Sequence, residues 1–145
     1  MLFALTGGTR AGVVPPKVAC LEVAGWEYQL ALTSKTTGTV NTSQGAVKFY
    51  AVNGEIFYPG QFSCPVTGTG HVKNTVFHFS FSGSYTGSYG PVDLYTFFAD
   101  VTWDLAATSN PVGSMKWRIV GDVVTGDWTD NLNKIDCGTM VIPDY

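Results

Sequence analysis

Val76-Phe77-His78-Phe79-Ser80-Phe81-Ser82 and Tyr95-Thr96-Phe97-Phe98-Ala99-Asp100-Val101-Thr102-Trp103-Asp104-Leu105, separated by the turn formers Gly83-Ser84-Tyr85-Thr86-Gly87-Ser88-Tyr89-Gly90-Pro91, decide the fold. Side chains of an extended chain alternate between two faces. Phe77, Phe79 and Phe81 therefore share one side of the first segment. Tyr95, Phe97, Ala99, Val101, Trp103 and Leu105 share one side of the second. This predicts a long antiparallel hairpin that donates an aromatic layer to a core, with Gly83–Pro91 as its tip.

The chain of 145 residues is long enough to bury a core without metals or staples. Aromatic residues make up 14% and charged residues only 13%, about half the usual charged share of roughly 25%. Such a composition opposes disorder and suits a β-rich protein whose surface is hydroxyl and backbone. Four basic and three acidic groups precede Lys73; four basic and eight acidic run from Lys73 to the end. No basic stripe is present to neutralise phosphates, so sequence-specific nucleic-acid binding is not expected. The tight pair Lys116-Trp117-Arg118 reads as a strand face with Trp117 turned inward.

Outward from the central hairpin, the pattern predicts short strands and almost no helix. Lys17–Val23 is one strand; Trp26–Leu32 is another, with Trp26, Tyr28, Leu30 and Leu32 inward. Ser34–Gly45 reads as a polar loop. Ala46–Val52 is a strand with Val47, Phe49 and Ala51 on one face, and Asn53-Gly54 is a hairpin signal leading back through Glu55–Tyr58. Gln61–Pro65 reads as a short edge strand, because proline there loses no ladder bond. Thr67–His71 reads as a Gly/Thr loop, and Ala106–Gly113 as a loop with Asn110-Pro111 starting a turn. Ser114–Val120 is a strand that buries Met115, Trp117 and Ile119. Asp127–Leu132 is the one place for a helical turn, and Thr139–Ile142 closes the chain. The expected class is an all-β, single-domain antiparallel β-sandwich or small β-barrel over residues 17–145. It is preceded by an extended N-terminal arm, residues 1–16, broken by Gly7-Gly8 and Gly12 and stiffened by Pro15-Pro16.

No motif names an activity. Ser80 and Ser82 share a face with His78, but residues two apart on a strand stand about 7 Å apart, beyond reach of a nucleophile and its base. Asp100 and Asp104 are about 13 Å apart by the same rise, too far for either glycosidase geometry. Asp122, Asp127 and Asp130, with Asn131 and Asn133, are oxygen donors for Ca²⁺, but their order departs from the EF-hand loop and turn capping explains them equally. No catalytic residue, cofactor or metal is therefore assigned. Cys20, Cys64 and Cys137 follow no metal-ligand spacing and read as buried free thiols, with one disulfide plus one thiol as the alternative.

What remains is a set of contact residues. Tyr85, Tyr89, Trp128 and Tyr145 read as loop or terminal aromatics, and Pro15 and Pro16 as the stiff end of the arm. Rigid aromatics outside the core suit a protein interface or a stacked sugar. The leading expectation is a non-enzymatic structural subunit of a symmetric assembly, such as a phage tail-tube or capsid-decoration protein in a virion. It would assemble as a homo-oligomer, or with other subunits, through its arm, edge strands and loop tips. A carbohydrate-binding module or lectin is the first alternative, and a small-ligand β-barrel the second. Met1–Thr6 lacks the basic and apolar regions of a signal peptide, and no run reaches transmembrane length. Synthesis in the cytoplasm, no membrane partner, and a final location in a virion or another extracellular assembly are expected.

Overall fold

The computed structural model describes residues 14–26, 28–58, 62–87, 93–121 and 125–138. They form β1 Val18–Val23, β2 Tyr28–Thr42, β3 Gly45–Tyr58, β4 Phe62–Lys73, β5 Val76–Gly87, β6 Asp93–Asp104, β7 Gly113–Val120 and β8 Thr125–Ile135. Each strand pairs antiparallel with the next, and β8 returns to β1, so the sheet closes into an eight-stranded up-and-down barrel. The barrel, not the sandwich, is the architecture. No described residue is helical.

The central hairpin is as the alternation demands. β5 and β6 pair in unbroken register from Val76 opposite Asp104 to Gly87 opposite Asp93. Phe77, Phe79, Phe81, Tyr95, Phe97, Ala99, Val101 and Trp103 are buried, and Leu105 packs against them. Their rings continue as a column through the barrel. Trp103, Phe77, Phe79, Phe81, Phe97, Trp117, Trp128 and Trp26 follow one another with centroid separations between 4.5 and 6.4 Å. These distances lie in the range where aromatic pairs attract beyond simple burial. The rings pack directly on one another.

Several shorter elements differ from the sequence reading. Asn53-Gly54 is not a turn: β3 runs through it, and the turn lies at Ser43-Gln44. The core side of β3 is Tyr50, Val52, Gly54 and Ile56, while Val47, Phe49 and Ala51 form the outward face. Thr67–His71 is strand interior, not loop, and Ser34–Thr42 is the second half of β2. Inward glycines account for both misread segments on β3 and β4. A Cβ on Gly54 would lie 2.0 Å from the Ala31 carbonyl oxygen, and one on Gly68 only 1.8 Å from that of Ser80. Glycine there lets neighbouring backbones close up as the sheet coils into a narrow barrel. Pro65 sits inside β4, but β5 joins β4 only from Thr67 onward, so one side of Pro65 carries no ladder.

Asp127–Leu132 is β8 strand rather than a helical turn, and β2 begins at Tyr28, leaving Trp26 in the preceding turn with 38% of its surface exposed. The Ala106–Val112 loop is held by Asn110, whose side chain accepts from the Lys134 amide and donates to the Lys134 carbonyl oxygen at 2.8 and 3.2 Å. The cysteines are also corrected: Cys20 and Cys137 form a disulfide, and only Cys64 is a buried free thiol. Cys20 occupies an outward position of β1 between the core residues Ala19 and Leu21, yet is only 1% exposed. The predicted closing strand Thr139–Ile142 and residues 1–13 of the arm lie outside the described residues.

Candidate functional site

Inward positions of β5–β8 are mostly apolar, while outward positions carry Ser, Thr, His, Asp, Lys and Arg. This is the reverse of a transmembrane barrel, whose lipid-facing side is apolar. The strand register arranges the outward side chains in rows. One row runs Thr33, Asn53, Thr67, Ser82, Phe98, Arg118, Asp127. The next runs Lys35, Ala51, Thr69, Ser80, Asp100, Lys116, Thr129, and a third runs Phe49, His71, His78, Thr102, Ser114, Asn131.

Several of these side chains are joined. Thr67 donates to Asn53 Oδ1 at 2.8 Å, Ser80 donates to Asp100 Oδ1, and Arg118 Nε donates to Asp127 Oδ1 at 2.7 Å. The hydrogen bond from Arg118 holds the Asp127 carboxyl below the ordinary carboxylate range, opposed by desolvation and aided by the guanidinium charge. His71 and His78 face each other across β4 and β5 with centroids 5.4 Å apart, and His78 Nδ1 lies 3.4 Å from Thr102 Oγ1. Over the first two rows, β4–β8 form a trough of about 870 Å³ around Ser82, Phe98, Asp100, Lys116 and Arg118. A second hollow of about 640 Å³ adjoins it through Thr69, Ser80 and Asp100 and reaches Phe49 and the two histidines. Serine, carboxylate and histidine are thus neighbours on one face, but Ser80 is bonded to Asp100 while His78 is placed against Thr102. No nucleophile–base–orienter chain links the three.

The residues singled out by sequence fare unevenly. Trp128 is not a loop aromatic: it is half-buried on the inward side of β8, stacked on Trp117 at 4.5 Å. Asp127 and Asp130, three apart on one strand, point to opposite faces. Asp127 meets Arg118 outside, and Asp130 accepts from Trp117 Nε1 at 2.8 Å inside. The fold therefore does not bring these two Ca²⁺ candidates together; Asp122 lies outside the described residues. Pro15 is buried and Pro16 half-buried. Tyr85 is in β5, opposite Tyr95, and Tyr89 and Tyr145 lie outside the described residues.

A second candidate surface is one that composition hid. β1 pairs with β2 between Tyr28 and Thr33, and among the described residues the last backbone contact on that side is Ser34 N–H to the Lys17 carbonyl oxygen at 3.0 Å. Beyond it β2 and β3 continue as a two-stranded hairpin, pairing down to Thr42 opposite Gly45 with a bulge between Thr36 and Gly38. Every residue from Lys35 to Ala46 is exposed. Among the described residues, no strand lies along the outer edge of Lys35–Thr42. The stretch from Thr36 to Val47 carries no charge; Lys35 and Lys48 bracket it. Comparison with protein-family models, curated protein sequences and solved structures finds no match to this chain.

Proposed function

We propose that this chain is a non-enzymatic structural subunit of a symmetric assembly, of the kind that forms tail tubes or decorates capsids in virions, and that the β2–β3 hairpin joins it to a second copy. The observation that carries this reading is the uncharged edge of β2 from Thr36 to Thr42, along which no strand lies among the described residues. An open strand edge is a template for another strand, and soluble proteins ordinarily blunt it with charge, proline or a cover. Among the described residues no charge, proline or covering strand occupies the stretch itself. Two copies pairing antiparallel about Thr39 would set Thr36 opposite Thr42 and bring no lysine against a lysine. Such a two-fold contact is self-complementary, as a symmetric dimer requires. Main-chain hydrogen bonds would supply the attraction and the bulge at Thr36/Gly38 the register.

The Cys20–Cys137 cross-link supports an oxidising destination such as a virion surface or extracellular space, since reduced cytosol disfavours persistent disulfides. The outward polar rows support assembly in water rather than in a bilayer. Light scattering coupled to size exclusion, with negative-stain imaging, tests the proposal. A dimer, alone or as the unit of a larger assembly, is expected, and Thr39→Lys, which sets lysine against lysine at the two-fold, should dissociate it while the barrel stays folded. A chain that remains monomeric at hundreds of micromolar would overturn it.

A further inference from the structure

We propose that the trough over β4–β8 binds a neutral oligosaccharide, with the ring of Phe98 as its stacking platform. Phe98 stands on an outward position of β6 and is 47% exposed. Its partners in the row are Ser82 on one side and Arg118 on the other, with Asp100 and Lys116 in the row below. A protein partner reading this surface through the hydrophobic effect would want several adjoining apolar groups, but the trough offers one exposed ring, Phe98, and one exposed aliphatic side chain, Val120, set among hydroxyls and charges. A pyranose has the matching chemistry: a C–H face for the ring and a rim of hydroxyls for serine, carboxylate and guanidinium.

Charge narrows the ligand further. Lys116 and Arg118 stand across from Asp100 and Asp127, so the lining is balanced and offers no surplus to a polyanion or polycation. Size argues for a chain over a single sugar. The trough of about 870 Å³ is at the upper end of ordinary ligand sites and runs into the second hollow. That hollow ends on Phe49, 39% exposed, whose ring lies 6.2 Å from His71. Counting four residues along β6 and three strands across, Phe98 and Phe49 are roughly 20 Å apart, a span for several linked sugars. The Phe98 trough shares no lining residue with the β2 edge, although the second hollow reaches Thr37 on it, so binding at Phe98 stands whether or not the chain assembles through that edge.

The test is a ¹⁵N–¹H titration of the full chain with uncharged hexasaccharides of β-1,4-glucose, α-1,4-glucose, β-1,4-xylose, β-1,4-mannose and N-acetylglucosamine, each to 10 mM. At least one should shift the amides of Ser82, Phe98, Asp100, Lys116 and Arg118. Phe98→Ala and Phe98→Leu should each weaken that binding at least tenfold, the second because it keeps apolar bulk but loses the flat face, whereas Phe98→Trp should retain it. Spectra of the free variants report that the barrel is intact. No shift with any of the five sugars, or binding indifferent to Phe98→Ala, would overturn the proposal. So would a change of oligomer size in Phe98→Ala without sugar binding, which would make the trough a subunit contact.

Discussion

Trp117 donates its indole N–H to the carboxylate of Asp130 at 2.8 Å, on the inner side of a barrel otherwise filled by aromatic and aliphatic side chains. Trp117 touches Phe97, Tyr28, Trp26 and Trp128, so it cannot turn to find another acceptor without undoing the column. Asp130→Ala leaves that donor buried and unpaired, a loss of about 1–3 kcal/mol. Asp130→Asn keeps an acceptor oxygen and should lose about 1 kcal/mol or less. Urea unfolding followed by tryptophan fluorescence reads both; equal losses would show that the hydrogen bond contributes nothing.

The sequence made some of this architecture legible and concealed the rest for identifiable reasons. β5, β6 and β7 alternate clearly, with Phe, Tyr, Trp, Met, Ile, Val and Ala filling most of the inward positions, and their inward faces are readable without a structure. β3 and β4 alternate as well, but glycine takes inward places in Tyr50-Val52-Gly54-Ile56 and Cys64-Val66-Gly68-Gly70-Val72. Local rules read those glycines as turns; counting them as inward positions makes both strands continuous. The β2–β3 hairpin has no such remedy, because neither of its faces meets the core and no hydrophobic period exists to be read. β8 was obscured by Asp130, a polar residue on an inward position. The trough is a property of register, since Ser82, Phe98 and Arg118 become neighbours only once three strands are aligned.

The inward glycines make a sharp prediction. A methyl group on Gly54 would lie 2.0 Å from the Ala31 carbonyl oxygen and 3.0 Å from Leu32 Cα. These are backbone atoms of the paired strand, which cannot yield by changing a rotamer. Gly54→Ala should cost about 3 kcal/mol or more, at the high end of overpacking, and reduce soluble yield. Gly38→Ala has open space around the added carbon and should change stability by no more than about 0.5 kcal/mol. Thermal unfolding of the two side by side checks the contrast; a well-folded Gly54→Ala would mean β2 and β3 do not approach this closely.

The Cys20–Cys137 bond joins residues 117 apart in sequence and fastens the chain after β8 onto the outer side of β1. Closing so long a loop restricts the unfolded chain strongly, and disulfides of this kind contribute typically about 2–4 kcal/mol. The double variant Cys20→Ala/Cys137→Ala should lose that amount in denaturant unfolding. Intact-mass measurement after alkylation in denaturant should find one modified cysteine without reductant and three with it. Three modified cysteines without reductant would refute the cross-link.

Cys64 is the thiol that remains, and its burial predicts a pH dependence. Loss of solvent raises its pKa from 9.0 to about 11, with the Glu55 carboxylate pushing the same way. The folded state therefore keeps the proton where the unfolded chain has released it. Stability from this group is complete below pH 9, the unfolded value, and is lost as pH climbs through 9 toward 11, because unfolding then liberates a proton. Cys64→Ala removes the titrating group, so its stability should be flatter over that interval even if lower at neutral pH through the space it leaves. Urea unfolding of both proteins at half-unit steps from pH 7 to 10.5 gives the comparison. Wild type should lose stability relative to the variant only above pH 9, and its native thiol should resist alkylation at pH 8. Parallel curves, or rapid alkylation of the folded protein, would mean that Cys64 is ionised as readily in the fold as outside it.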